Sequence, residues 1–212
     1  MMLKLISATP SPYARKVRIT LAEKSIPFEL ITEVPWNSTT QTPQYNPLEK
    51  LPVLLLEDGG SVYESRFILE WIEAKYPTPP MLPKDIDLRL AARRVEVVVD
   101  GICDALVLLF WERHRPEAER SVEWMARQMR KVDGGMRTLA EWASNHEYMI
   151  DGTFGLADIA AGTVCRYLDV RFPDYPWRNR HPNLADYSNG LEQRPSFRSS
   201  VPVPQQISDK VV

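Results

Sequence analysis

The chain has 212 residues, of which 44% are hydrophobic and 25% charged, with a formal net charge of −2. That is enough apolar material for one large or two small cored domains. Charge of both signs is spread along the chain, so no basic surface for nucleic acid or an anionic membrane stands out, and no apolar run approaches the length of a membrane span.

Leu3-Lys4-Leu5-Ile6 reads as a first strand, and Arg15 to Ser25 as the body of a first helix. Between them, Ser11 takes the N-cap position and Pro12 the first turn, where its missing N–H had no partner to lose. Ile26 to Ile31 reads as a second strand, with Pro27 marking an edge or a start. Val34 to Tyr45 is polar and broken by Pro35 and Pro43, a loop with at most one helical turn. Leu51 to Leu56 is apolar throughout, as a central strand would be. The turn Asp58-Gly59-Gly60 returns it to a short strand around Ser61 to Tyr63. Glu64 to Tyr76 is helical, with Phe67, Ile68, Trp71 and Ile72 on one face.

Four prolines between Pro77 and Pro83 make a linker. Beyond it the spacing is helical almost throughout. One long helix runs from Asp87 to about Arg113, and a second from Pro116 to about Ala143, weakened in its middle by Gly134-Gly135. Phe154-Gly155-Leu156-Ala157-Asp158-Ile159 places Asp158 at N3 of a helix capped by Gly155, half of a reciprocal capping box, with Phe154 and Ile159 spaced as a hydrophobic staple. Pro173, Pro176 and Pro182 break the chain beyond this helix, and a last helix from Leu184 to about Gln193 precedes a polar tail. The expected domains are 1–77, a linker 78–85, and a helical domain 86–212.

Cys103 and Cys165 are far apart, which suits a reducing compartment and argues against a disulfide framework. His114, His146 and His181 are too scattered for a metal site, and no metal is expected. The start of the chain has neither the basic segment nor the long apolar stretch of a signal peptide, so the expected location is cytoplasmic.

Three segments carry chemistry. The first is Ser11-Pro12-Tyr13-Ala14-Arg15-Lys16-Val17; the second is Asn46-Pro47-Leu48-Glu49-Lys50-Leu51-Pro52; the third is Ser61-Val62-Tyr63-Glu64-Ser65-Arg66-Phe67. Ser11 either caps the helix or turns its hydroxyl outward, at the positive end of the helix dipole, toward a bound anion. Taken together, in this order and spacing, the segments resemble the glutathione transferase superfamily, most closely its serine-type cytosolic and bacterial members.

That resemblance implies an α/β thioredoxin-like N-terminal domain followed by an all-α C-terminal domain. It implies a catalytic Ser11 that holds the glutathione thiolate, with Thr9 as a nearby substitute. Tyr13 could instead offer its phenol, but it matches the family's aromatic residue, which packs near the thiol. Leu51, before a cis Pro52, would pair its backbone with the cysteinyl part of glutathione. Lys50 either faces the glycyl carboxylate or is simply solvated. Glu64 and Ser65 would receive the γ-glutamyl ammonium and carboxylate, as well as capping their helix. Trp36 would flank the site or pack on the domain surface. The second-substrate pocket would draw on Tyr13 and the end of the long helix, Trp111 and His114, while Arg66 and the pair Arg93-Arg94 would serve a homodimer contact. No cysteine lies in the turn from Thr9 to Tyr13, so the resemblance favours transfer of the glutathione thiolate to a small electrophile over thiol-disulfide exchange. The alternatives on the same scaffold are a non-catalytic glutathione-binding protein and a glutathione-dependent isomerase or dehalogenase. A serine hydrolase has no support, since no Gly-x-Ser-x-Gly elbow is present.

Overall fold

The computed structural model describes residues 2–143 and 147–211. His146 therefore lies outside the described residues. The chain forms two compact units: residues up to Met81 together with Arg194–Val211, and Leu82–Gln193.

The first unit is built on a four-stranded sheet. β1 (Leu3–Ser7) pairs in parallel with β2 (Phe28–Thr32) and antiparallel with β3 (Val53–Leu55), which pairs antiparallel with β4 (Ser61–Tyr63), giving the order β2-β1-β3-β4. The inner strands carry the core: Leu5, Ile6, Val53 and Leu54 are buried, whereas β2 is an edge with Glu29 and Leu30 exposed. The second strand starts two residues later than its apolar run, because Ile26 belongs to the end of the preceding helix. α1 (Pro12–Glu23) closes with Ser25 N–H on the Ala22 carbonyl and Ile26 N–H on the Leu21 carbonyl, at 3.0 and 2.9 Å, and Ser25 takes φ 53°. This is a Schellman end, with Ile26 and Leu21 as its buried apolar pair. α2 (Ser65–Lys75) packs on α1 and buries Ile68, Leu69 and Ile72, but Phe67 is 60% exposed and is not part of that face.

The second unit is helical. α3 (Ile86–His114) packs on α4 (Val122–Trp142) and on α5 (Leu156–Arg171), which packs on α7 (Pro182–Leu191); a single turn, α6 (Trp177–Arg180), precedes α7. Pro116 opens only a 3-10 turn at Glu117–Glu119, and α4 begins at Val122 because the Ser121 hydroxyl accepts the Trp124 N–H at 3.3 Å. The glycine pair does not interrupt α4. Gly135 instead lets α4 approach α3 closely: a Cβ there would stand 2.4 Å from Ile102 Cγ1. No helix among the described residues is long and apolar enough to cross a membrane.

The expected assignment of 86–212 to the helical domain needs one correction. From Arg194 onward the chain, including a short α8 (Pro195–Arg198), packs on the first unit. Arg194 donates to both Glu23 oxygens at 2.9 Å, and the Ser196 hydroxyl donates to Glu23 Oε1 at 2.5 Å. Arg15, only 2% exposed, donates to the carbonyls of Phe197 and Ser200, both at 3.1 Å, while its guanidinium lies over the Phe197 ring. These partners come from residues some 180 positions away, and no local pattern reveals them.

Candidate active site

The sheet register assembles the three segments. Ile6 stands opposite Val53, and Val53 opposite Tyr63. β1 ends one residue past this row, the antiparallel β3 begins at it, and β4 ends at it. The chain leaving β1 toward Ser11, the chain entering β3 through Leu51-Pro52, and the chain leaving β4 into Glu64-Ser65 therefore meet at one end of the sheet. Two helix N-termini, those of α1 and α2, start from this end. Each brings the partial positive charge of a helix start, a setting suited to an anion.

Ser11 is the N-cap of α1, and its Oγ accepts the Ala14 N–H at 3.2 Å. A hydroxyl has two acceptor lone pairs and one donor hydrogen. Capping uses one lone pair, and no described residue accepts the Ser11 hydrogen. The two readings of this serine are thus compatible: one oxygen caps the helix and still has a proton to donate. Thr9 and Tyr13 flank it, both half-buried.

The second segment is held from behind by a residue that sequence reasoning missed. Asn46 is 1% exposed; its Oδ1 accepts the Leu48 N–H at 2.9 Å, and its Nδ2 donates to the Lys50 carbonyl at 2.7 Å. The signal for it was available, since Asn before Pro favours an Asx turn. The Leu51-Pro52 peptide is cis, with Pro52 buried and Lys50 exposed.

In the third segment Glu64 is exposed and has φ 71°, and its carboxylate accepts the Arg66 N–H at 3.2 Å. Ser65 is buried at the first helical position, its hydroxyl 3.5 Å from Glu64 Oε1. Glu49, beside Lys50, also has positive φ, at 54°. Non-glycine residues in such conformations carry a cost of roughly 1–3 kcal/mol, and two of them border the same end of the sheet. Trp36, in the loop after β2, is 44% exposed.

The remaining candidates sit in the helical unit. Trp111 and His114 belong to one aromatic cluster with Phe110 at the end of α3: the Phe110–His114 and Trp111–His114 centroids are 4.2 and 5.9 Å apart, and His114 Nδ1 is 2.7 Å from the Phe110 carbonyl oxygen. Arg171 of α5 lies over the Phe110 ring at 4.5 Å. Arg93 pairs with Glu96 at 2.9 Å, and Arg94 lies over Trp142 at 5.0 Å, so both have intramolecular partners. Both cysteines are buried, and burial pushes the Cys165 thiol up to about 12. Neither is placed as a nucleophile. Among the described residues no group of histidine, cysteine and carboxylate side chains has the makings of a metal site.

Residues 10–75 match the model of the glutathione S-transferase N-terminal domain, and residues 111–190 that of the C-terminal domain. The uncharacterised GST-like protein YibF of Escherichia coli (strain K12) is 36% identical over 94% of this chain and 98% of its own length. The chain belongs to the glutathione S-transferase family. Two solved members of that family share its whole architecture. A glutathione S-transferase of Methylobacterium radiotolerans, in complex with glutathione sulfonate, is 62% identical, covers 100% of both chains and superposes with a TM-score of 0.98. One of Methylobacillus flagellatus, with GSH bound, is 36% identical over 95% of this chain and 100% of its own, with a TM-score of 0.91. The family fold, a thioredoxin-like domain followed by a helical domain, is the one described above, and it agrees with the expectation drawn from the three segments.

Proposed function

We propose that this chain is a glutathione transferase: it binds glutathione at the β1–β3–β4 end of the sheet, holds the thiol as a thiolate with Ser11, and directs it at a small electrophile. The observation that carries the reading is the Ser11 hydroxyl, whose oxygen accepts the Ala14 N–H at the start of α1 and whose hydrogen has no acceptor among the described residues. The ligand-bound relatives support glutathione as that ligand. Leu51 pairs its backbone with the cysteinyl unit of glutathione. Ser65 and the first N–H groups of α2 receive the γ-glutamyl carboxylate, Glu64 its ammonium, and Lys50 the glycyl carboxylate.

The energetics are sufficient. A free thiol has a pKa of about 8.5, and lowering it by about two units takes roughly 2.7 kcal/mol of preference for the thiolate. A hydrogen bond to a charged group contributes about 1.5–3 kcal/mol, and a helix N-terminus about 0.3–1. The thiolate sulfur then attacks an electrophilic carbon. A C–S bond forms, and the leaving group departs with the electron pair of the broken bond. Tyr13, beside Ser11 in the first unit, is the residue we assign to the electrophile. We further propose a homodimer in the cytoplasm, in keeping with the family. Turnover of a model aryl halide by wild type and Ser11→Ala tests the reading. We expect the variant to bind glutathione within a few-fold of wild type and to lose most turnover. Equal turnover would refute the role of Ser11.

A further inference from the structure

The tail that follows α8 does more than cover α1. After Ser200 it runs to the loop between β2 and the Thr42–Gln44 turn. Gln205 Nε2 donates to the Glu33 carbonyl at 3.0 Å, the Ser208 N–H donates to Asn37 Oδ1 at 3.1 Å, and the Ser38 N–H donates to the Asp209 carboxylate. The same loop is organised internally by Glu33, whose carboxylate accepts from the Thr40 hydroxyl and from the Gln41 and Thr42 N–H groups. Thr42, fully buried, accepts the Asn46 N–H on its carbonyl at 2.9 Å, and Asn46 holds the Lys50 carbonyl. A continuous line of hydrogen bonds thus leads from the tail, through residues 33–46, to the backbone that presents Lys50 and Leu51.

We propose that residues 205–209 form a positioning strap for the glutathione site: by holding Glu33, Asn37 and Ser38 they keep the 33–50 segment in its binding-competent arrangement. The proposal rests on the glutathione-binding reading above. Its root is firm, because Arg15 and Glu23 fix the tail at α8 through buried or half-buried partners, whereas at its far end the Gln205–Glu33 bond is part-buried and the bonds to Asn37 and Ser38 are exposed. An exposed strap of this kind adds little to global stability but can set the population of one loop arrangement. If the arrangement falls to between about a third and a tenth of molecules when the strap is lost, the apparent dissociation constant for glutathione rises roughly three- to ten-fold. The ionisation of the bound thiol is untouched, since Ser11 and α1 lie outside the strapped segment.

The test uses three proteins: the whole chain, a chain shortened after Pro204, and the full-length double variant Gln205→Ala/Asp209→Ala. Glutathione binding is measured by calorimetry, the ionisation of the bound thiol by ultraviolet titration, and loop protection by amide hydrogen exchange over residues 34–45. The strap predicts a three- to ten-fold weaker glutathione affinity in the shortened chain, a smaller loss in the double variant, faster exchange confined to 34–45, and an unchanged thiol pKa in the bound state. If shortening lowers the melting temperature by more than a few degrees, the double variant alone is decisive. Unchanged affinity, or unchanged exchange in 34–45, overturns the strap. A whole chain that fails to bind glutathione overturns the functional reading first, and is distinguished by being seen before any variant is made.

Discussion

Asp158, away from the candidate site, is a residue whose removal the structure makes costly. It is fully buried at N3 of α5, and its two oxygens serve three donors: Oδ2 accepts the Gly155 N–H at 2.8 Å, and Oδ1 accepts the Met149 N–H at 2.8 Å and the Tyr187 hydroxyl of α7. It thereby ties the segment before α5, the α5 cap and α7 together. With glycine at the cap there is no side-chain oxygen to return a bond to the N3 amide, so the carboxylate carries the motif by itself. Burial raises its pKa, and the hydrogen bonds from Tyr187, Met149 and Gly155 oppose that rise. Asp158→Ala leaves these three donors without their acceptor. At about 1–3 kcal/mol for each buried group left unsatisfied, and allowing for water to enter the gap, the loss is roughly 3–6 kcal/mol. Against a typical total of about 5–15 kcal/mol this is a large fraction of stability. Asp158→Asn keeps one acceptor oxygen and should lose about half as much. Urea unfolding followed by far-ultraviolet circular dichroism reads both. A loss under about 1 kcal/mol for the alanine variant, with the unfolding slope unchanged, would refute the argument that this carboxylate holds three segments.

Two further predictions separate neighbouring effects. Gly134 and Gly135 are adjacent in α4, yet alanine should act oppositely at the two. At Gly134 nothing stands within 4 Å of a new Cβ, so the substitution gains helix propensity of about 0.8–1 kcal/mol; at Gly135 the clash with Ile102 outweighs that gain, for a net loss of about 1 kcal/mol. Melting temperatures of the two variants should move in opposite directions. For Glu23, burial raises the pKa, but the hydrogen bonds from Arg194 and Ser196 and the Arg194 charge outweigh it, leaving the pKa below its ordinary value of 4.5. A depressed carboxylate stabilises the fold above its unfolded pKa and loses that contribution as pH falls through the folded one. Stability should therefore drop on acidification below about pH 4.5, and Glu23→Gln should be less stable at neutral pH yet flatter through that range. Urea midpoints of the two proteins at a series of pH values check the sign.

The parts of this molecule that were legible in the sequence are those set by local chemistry. Ser11-Pro12 announces a helix start, Asp58-Gly59-Gly60 a hairpin turn, and the prolines from Pro77 to Pro83 the passage between units. The apolar period of α3 located a helix whose ends fell within a residue of the expected ones. What escaped was set by partners distant in sequence. Arg15 stands in the sequence as one residue of the α1 body, and the partners that make its burial tolerable include the carbonyls of Phe197 and Ser200. The tail reads as loose polar chain until Glu23 and Arg15 are seen to hold it. Gly135 looked like a weak point because propensity speaks of the helix alone, while the space it leaves belongs to Ile102. Phe67 groups with Ile68 and Ile72 by spacing, but one residue is about 100° of helix turn, and that step carries Phe67 off the buried face. At the site, the resemblance already joined the three segments around one ligand; the physical reason they meet at one end of the sheet comes from the β1–β3–β4 register.

The central claim is that Ser11 makes a bound thiol ionise. An ultraviolet difference titration of the protein with glutathione, following thiolate absorbance against pH in wild type and Ser11→Ala, tests it most directly. The account predicts a bound thiol in wild type that ionises about two units below the free value of about 8.5, and one in Ser11→Ala that returns most of the way toward that value while glutathione still binds. Binding in wild type with no thiolate below about pH 8, or the same titration in both proteins, would contradict it.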